Sequence, residues 1–470
     1  METDVAIIGA GGAGLAAAIE VARQGARVAV IDASDEAGGT ARTAGGGTCI
    51  AGSPLQRELS VADSPEVALE DWLAWGGPDV DEEWARRYLE ASVPELYEGL
   101  GRLGVEWIGL RPNEGNRVPR WHEPKGGGRA VTLALEEQAR RLASITWHLR
   151  TRALELTRAA GRVTGVVVDG QHGLQEIAAS SVLVATGGFT NNLTMVRENA
   201  TAARQAERVL LGGGRGAIGG GHALLAAIGA RFVNLDAVWM YPYGTPDPHD
   251  TGGERGLVVR GVDGDVWVNA DGVRFHDESR RGGATGTVAL LAQPEASCWS
   301  IIDARIAANV VIADPRYRHG GTPIRDRVQE LLDTSPFIAR ADRPEELARH
   351  AGIDPKGLKG VLDGFNGRIR AGEATEPEHG RSLEGLRELT EPPFYAIRFF
   401  PLARKNLGGA RTDLACRVLD HAAHPIPGLF AAGEVAGMAG GRINGRAALE
   451  GTMFGPSCFS GMVAGRNMVA

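Results

Sequence analysis

Residues suited to holding a phosphate stand near the start of the chain. Gly9-Ala10-Gly11-Gly12-Ala13-Gly14 contains the G-x-G-x-x-G spacing, and Asp32 follows Gly14 by eighteen residues. Gly9 permits a tight turn, Gly11 lets the backbone approach a pyrophosphate, and Gly14 lets a helix pack closely on a strand. A helix starting there offers unbonded N–H groups and the positive end of its dipole to phosphate oxygens. Asp32, with Ala33 beside it, is placed to accept hydrogen bonds from a ribose diol.

That chemistry needs a strand, a helix and a second strand in order. Residues 4–8 form a short apolar run expected as a buried parallel strand. Residues 15–24 have helical composition, Gly25 is a stop, and residues 27–31 form a second apolar run. A second glycine-rich stretch follows, Gly38-Gly39-Thr40 and then Ala44-Gly45-Gly46-Gly47. A domain that binds only NAD has no need of it, whereas an FAD protein can run such backbone beside the ribityl chain and flavin. Two later runs repeat the pattern of strand then glycine. Residues 181–184 lead into Ala185-Thr186-Gly187-Gly188, and residues 428–432 lead into Gly433-Glu434, with Glu434 expected on ribityl or ribose hydroxyls.

Taken together, the amino-terminal G-x-G-x-x-G, the A-T-G-G strand end and the G-L-F-A-A-G-E segment resemble the fumarate reductase/succinate dehydrogenase flavoprotein family. That family includes ketosteroid and tricarballylate-type dehydrogenases. The resemblance runs from Asp4 to about Gly465. It implies an α/β fold, with a Rossmann-like FAD-binding domain (residues 1–234 and 356–470) interrupted by a smaller α+β capping domain (residues 235–355). The interrupting stretch is polar and rich in Asp, Gly, Pro and Arg. The resemblance also puts Ala153 beside the adenine, and Ala447 and Ala448 at the start of a final helix aimed at the flavin. Between Gly38 and Thr48 no histidine matches the covalent attachment of some members, which implies non-covalent FAD.

The same resemblance names candidates for the reaction. Arg442-Ile443-Asn444-Gly445-Arg446-Ala447 matches the family's R-L-G-G-N-A, which makes Arg442 a substrate anchor and Arg446 a second contact. Guanidinium groups suit carboxylates because they bind them bidentately. Arg260-Gly261 matches the arginine of a proton relay, but Leu257 stands where the relay glutamate belongs. Arg280 and Arg281 follow a match to R-F-V-N-E one gap out of register. Tyr241 and Lys405 replace two substrate histidines, so fumarate itself is disfavoured. Which of Arg280, Arg281, Arg260 and Tyr241 handles the proton stays open; a phenol can polarise a carbonyl or shuttle a proton. His222 and His276 are read as structural.

Composition narrows the field further. The formal charge is −8 with no basic stripe, so a nucleic-acid partner is not expected. The four cysteines lie far apart, without metal-ligand, haem or disulfide spacing, and no metal is expected. No leader and no membrane-length apolar run is read, which suggests a cytoplasmic protein. The expected function is an FAD-dependent oxidoreductase acting on a CH–CH bond beside a carbonyl or carboxylate, with a separate, unidentified electron donor or acceptor. Direction is open, and both tricarballylate-like acids and cyclic ketones remain as substrates. The alternatives are an oxidase or hydroxylase using O2, and a flavin-binding subunit without turnover.

Overall fold

The computed structural model describes residues 2–317 and 324–469. It is a mixed α/β structure with parallel and antiparallel sheets. Contacts divide it into two compact units. The first comprises Met1–Asn199, Gly213–Trp239 and Lys405–Ala470.

Its main sheet carries the strands Pro425–Ala431, Gly173–Val184, Glu2–Ile8, Val28–Ile31 and Ile145–His148 side by side, all parallel. Glu2–Ile8 and Val28–Ile31 are inner strands because their apolar runs, Val5 to Ile8 and Val28 to Ile31, are buried on both faces, whereas the half-exposed Ile145–His148 lies at the edge. Register is the feature that matters most. Ile8 lies opposite both Ile31 and Val184, Val184 opposite Ala431, and Ile31 opposite His148. The five strands therefore finish level at one edge of the sheet.

The helix Gly12–Arg23 follows the first strand and ends at Gly25, whose φ of 85° suits glycine. It packs against the carboxy-terminal helix Phe454–Asn467 through small residues. A Cβ added at Gly461 would lie 2.1 Å from the Ala13 carbonyl oxygen. On the other face of the sheet the strands Arg152–Ala159 and Arg162–Gly170 form a hairpin. Its turn is Ala160-Gly161, both at positive φ, as two-residue hairpin turns require. A small sheet of Thr48–Cys49, Trp121–Pro124 and Trp107–Arg111 completes the unit.

The second unit comprises Ala200–Gly212 and Met240–Arg404. The middle of its sheet runs Val266–Val268, Cys298–Ile302, Phe394–Asn406, Val238–Pro246, Gly256–Arg260, Val311–Ile312. By contact, residues 356–404 group here, whereas the sequence reading has the first fold resume at 356. Phe394–Asn406 explains the difference: it is a long buried strand that pairs with Cys298–Ile302 and Ile338–Ala341. Among the described residues, no helix is long and apolar enough to cross a membrane.

Two histidines of the first unit are buried and neutral. His122 donates from Nδ1 to the Arg120 carbonyl at 2.8 Å, so its Nε2 accepts from the Ser53 hydroxyl at 2.7 Å. His222 stacks on Phe232 and meets Phe189 edge-on. Burial pushes both rings down to about 4. An unfolded histidine titrates near ~6.5, so below that pH the unfolded chain takes up protons that the folded chain refuses. Stability is therefore fully present above pH ~6.5 and falls as pH drops toward 4, by up to about 1.4 kcal/mol per pH unit for each histidine. Urea unfolding across that window should show the loss, and His222→Leu should flatten its slope.

Candidate active site

The level strand ends gather the glycine loops. Gly9–Gly14 follows Ile8, Asp32 follows Ile31, Ala185–Gly188 follows Val184, and Gly433–Glu434 comes just after Ala431. Gly14 is pressed onto the strand, since a Cβ there would lie 1.8 Å from the Gly9 carbonyl oxygen. At Gly11, by contrast, a Cβ would meet nothing within 4 Å. Gly11 is also the N-cap of Gly12–Arg23, with no side-chain cap and no acidic residue in the first turn. The arrangement is a helix N-terminus open to an anion. Asp32 accepts from the Ala10 amide at 2.7 Å and from the Ser34 amide at 2.8 Å, so it already braces the loop. Ala33 follows it on the same turn.

The second glycine stretch lies alongside the first. The Gly38 amide donates to the Ala10 carbonyl at 2.7 Å, and Gly39 lies 3.5 Å from the Gly11 Cα when given a Cβ. Thr40 lies in the short helix Gly39–Thr43, and the Ala44 carbonyl accepts from the Gly128 amide at 3.0 Å. Gly45 and Gly46 continue the loop. Ala153 sits on the hairpin strand two residues past Thr151, whose amide donates to the Asp32 carbonyl at 2.8 Å. The Thr186 hydroxyl is buried with no hydrogen-bond partner among the described residues, and a Cβ at Gly187 would meet none of their atoms within 4 Å. An uncapped helix start, an open glycine face and an unpartnered hydroxyl on one sheet edge fit a dinucleotide such as FAD.

Some residues of this region were not singled out from the sequence. Trp121 packs on the glycine loop so closely that a Cβ at Gly47 would lie 1.6 Å from its indole. Asn406 is fully buried; its side-chain oxygen accepts from the Phe189 backbone amide at 3.1 Å, and its backbone amide donates to Glu434 Oε1 at 3.1 Å. Gly214 packs against Thr40. Trp121 had no periodic signal to betray it, and Asn406 lies more than two hundred residues from Phe189.

Arg442 is held by its backbone and free at its head. Its carbonyl accepts from the Asp81 amide at 3.2 Å, and the following Ile443 carbonyl accepts from the Trp72 indole at 3.0 Å. Its half-buried guanidinium makes no hydrogen bond or ion pair among the described residues. Arg446 differs: it is exposed and ion-paired to Asp79 at 2.6 Å and Asp236 at 2.7 Å, so its donors brace two loops. Lys405 is partly buried with Nζ 3.4 Å from the Met453 sulfur. The helix expected to begin at Ala447 and Ala448 begins instead at Phe454. Ala447 and Ala448 lie in the preceding turns, and Gly451, at φ 93°, breaks the path between.

In the second unit, Arg280 and Arg281 part company. Arg281 pairs with the fully buried Asp265, which also accepts from Ser300 at 2.5 Å and from the Trp267 indole at 2.9 Å. Beside it, burial alone would raise the Glu278 carboxyl, but Arg274 and Arg381 hold it below its ordinary range. Arg281 is thus part of a buried ionic network. Arg280 is exposed, and its guanidinium has no partner among the described residues. Gly286 joins this loop to the Tyr241 strand, with a Cβ there lying 2.9 Å from the Arg280 carbonyl and 3.1 Å from Pro242. Tyr241 is 3% exposed and stacks on Tyr243, and Arg260 approaches its ring. Among the described residues, no group of His, Cys, Asp and Glu could hold a metal ion.

Residues 4–453 match the FAD binding domain family. The chain is similar to a KsdD-like steroid dehydrogenase of Mycolicibacterium smegmatis, 30% identical over 545 residues that cover 100% of this chain and 99% of that protein. Among solved structures it is similar to the open conformation of a flavocytochrome c3 fumarate reductase, with TM-score 0.79 and 28% identity over 100% of this chain and 78% of that one. It is also similar to the 3-ketosteroid-Δ4-(5α)-dehydrogenase of Rhodococcus jostii in complex with 4-androstene-3,17-dione, with TM-score 0.75 and 26% identity over 100% and 97% of the two chains. The chain belongs to the FAD binding domain family and is an FAD-dependent oxidoreductase of the fumarate reductase and ketosteroid dehydrogenase group, whose reactions fall on CH–CH bonds.

Proposed function

We propose that this protein adds or removes hydrogen across a CH–CH bond beside the carbonyl of a cyclic ketone, passing electrons to or from a separate partner. The first unit is read as a Rossmann-like FAD-binding domain and the second as its capping domain. The observation that carries the reading is the open helix start at Gly11 on the same sheet edge as Asp32, Thr186 and Glu434. Bound FAD supplies two-electron hydride exchange at the flavin N5. The chain's own residues do the rest. Gly9, Gly11, Gly12, Ala13 and Gly14 receive the pyrophosphate, Asp32 and Ala33 the ribose, and Ala153 lies by the adenine. Gly39, Thr40, Ala44, Gly45 and Gly46 run beside the flavin, with Ala185, Thr186, Gly187, Gly188, Gly433, Glu434, Ala447 and Ala448 lining the remainder.

Arg442 is the substrate anchor, because its head is unpaired among the described residues while its backbone is fixed. A fixed cation of this kind polarises a carbonyl or clamps a carboxylate without reorganising. Lys405 is a second contact of that type. Arg446 and Arg281 are assigned to bracing, since carboxylates occupy their donors. Tyr241, Arg260 and Arg280 remain for the proton. A cyclic ketone is favoured over a small diacid for two reasons. Tyr241 and Lys405 stand where two histidines are expected, and the steroid dehydrogenase of M. smegmatis is matched along 99% of its length.

Anaerobic mixing with a panel of steroid ketones, fumarate and tricarballylate should bleach the oxidised flavin, or reoxidise the reduced flavin, with ketones alone. Bleaching by the acids alone would reverse the substrate reading. Arg442→Ala should keep FAD yet slow substrate-dependent bleaching by about 100-fold or more, the usual scale for one lost oxyanion donor. Gly11→Ala should fold normally but bind FAD more weakly in a titration of apoprotein, whereas Gly14→Ala should lose thermal stability as well. Acid precipitation should release all of the flavin into the supernatant, as non-covalent binding requires.

A further inference from the structure

The turn that presents Arg442 is built from residues that cannot fix it from within. Gly440 and Gly441 precede Arg442 at φ 65° and 85°. Glycine loses more conformational freedom on ordering than any other residue, so such a turn keeps one shape only if its surroundings hold it. Backbone bonds supply part of the hold. The Gly441 amide donates to the Ala436 carbonyl at 2.8 Å, and the Ile443 amide to the Ala439 carbonyl at 3.2 Å. The rest comes from two helices, Pro65–Gly76 and Glu82–Ala91, and from Arg411.

The first helix grips the chain beyond Arg442. The Trp72 indole donates to the Ile443 carbonyl at 3.0 Å and the Trp75 indole to the Ala448 carbonyl at 3.2 Å, while the Gly76 carbonyl accepts from the Arg446 amide at 3.1 Å. The start of the second helix grips the turn itself. Trp84 packs so closely that a Cβ at Gly440 would lie 2.3 Å from its indole. Asp81, the buried N-cap, makes three separate contacts. Its amide donates to the Arg442 carbonyl at 3.2 Å, its Oδ1 accepts from the Trp84 amide at 3.2 Å, and its Oδ2 is ion-paired with Arg411. Arg411 also donates to the Gly440 carbonyl. Its own backbone is fixed, with the amide donating to the Arg231 carbonyl at 2.8 Å and the carbonyl accepting from the Leu419 amide at 2.9 Å. The contacts close a ring, from Gly440 to Arg411, from Arg411 to Asp81, and from Asp81 to Arg442. Bonds to an ionised partner are the stronger kind, and this ion pair is largely withdrawn from water.

We propose that Asp81 and Arg411 are positioning residues that clamp the Gly440–Arg442 turn and so fix where the Arg442 guanidinium stands. The inference rests on the reading of Arg442 as the substrate anchor and deepens it. Neither residue needs to touch the substrate. An anchor on a loose turn would spend part of its binding energy on ordering its own backbone, whereas a clamped one presents its donors already in place.

The test pairs two measurements on the FAD-loaded protein. Arg411→Met should speed amide hydrogen exchange across residues 440–446 by about tenfold or more, leave Gly12–Arg23 as protected as in the wild type, and be partly rescued in Arg411→Lys. Asp81→Ser should repeat the effect, because serine caps a helix about as well as aspartate but is too short to reach Arg411. It also carries both measurements should Arg411→Met lose FAD. Wild-type exchange in both variants overturns the clamp. The second measurement is a double-mutant cycle on flavin bleaching by ketone. Arg411→Met should slow bleaching by about tenfold or more in the wild-type background and not at all in Arg442→Ala. Equal slowing in both backgrounds means that Arg411 acts elsewhere than through Arg442, and overturns the positioning role. Failure of every ketone to bleach the wild-type flavin instead overturns the ketone reading, and the exchange measurement still decides whether the clamp exists.

Discussion

Strand register is the constraint on which the first unit depends. Because Ile8, Ile31, Val184, Ala431 and His148 pair as level neighbours, the segments after them must leave the sheet at one edge. In open α/β sheets the crevice beyond the carboxyl ends of the strands is where ligands bind. A slip of one residue in any strand would turn its buried face outward as well as displace its loop. The apolar core and the candidate cofactor edge are thus fixed by the same pairing. The packing of Gly14 on Gly9 then sets how the first helix meets that edge.

Charge is handled differently in the two units. The first leaves the Arg442 guanidinium without a partner among the described residues, on a backbone turn held by hydrogen bonds. The second buries Asp265 and Glu278 and satisfies them with Arg281, Arg274, Arg381, Ser300 and Trp267. Buried ion pairs of this kind contribute little net stability, but losing one partner costs about 3–5 kcal/mol. They suit a scaffold that must keep a loop in one conformation, here the loop that carries Arg280.

Much of the edge where the strands end was legible in the sequence because its signals are local. Gly9 to Gly14, Asp32 and the strand ends at Gly187 and Gly433 each combine an apolar run with a glycine whose job has a stated reason. The hairpin turn at Ala160-Gly161 was legible for the same reason. What was missed is non-local. Arg404 and Arg260 meet Tyr241 only through strand pairing, and Trp121 meets Gly47 only through tertiary packing. Spacing along the chain carries no trace of either. The pairing of Arg281 with Asp265, which sets it apart from its neighbour Arg280, is likewise a fact of burial. The final helix was expected too early because the turns around Gly445 and Gly451 interrupt an apolar, helix-compatible stretch.

The packing of Gly461 on Ala13 bears on how the molecule comes together. The first helix meets a helix more than four hundred residues further along, and the strand Pro425–Ala431, which joins the same sheet beside Gly173–Val184, arrives almost as late. Contacts this distant are entropically slow to form. During synthesis the amino-terminal glycine loop therefore waits, with one face of its helix uncovered, until nearly the whole chain has emerged. Affinity for a nucleotide at that loop would then act as a late folding ligand, stabilising the finished sheet by mass action.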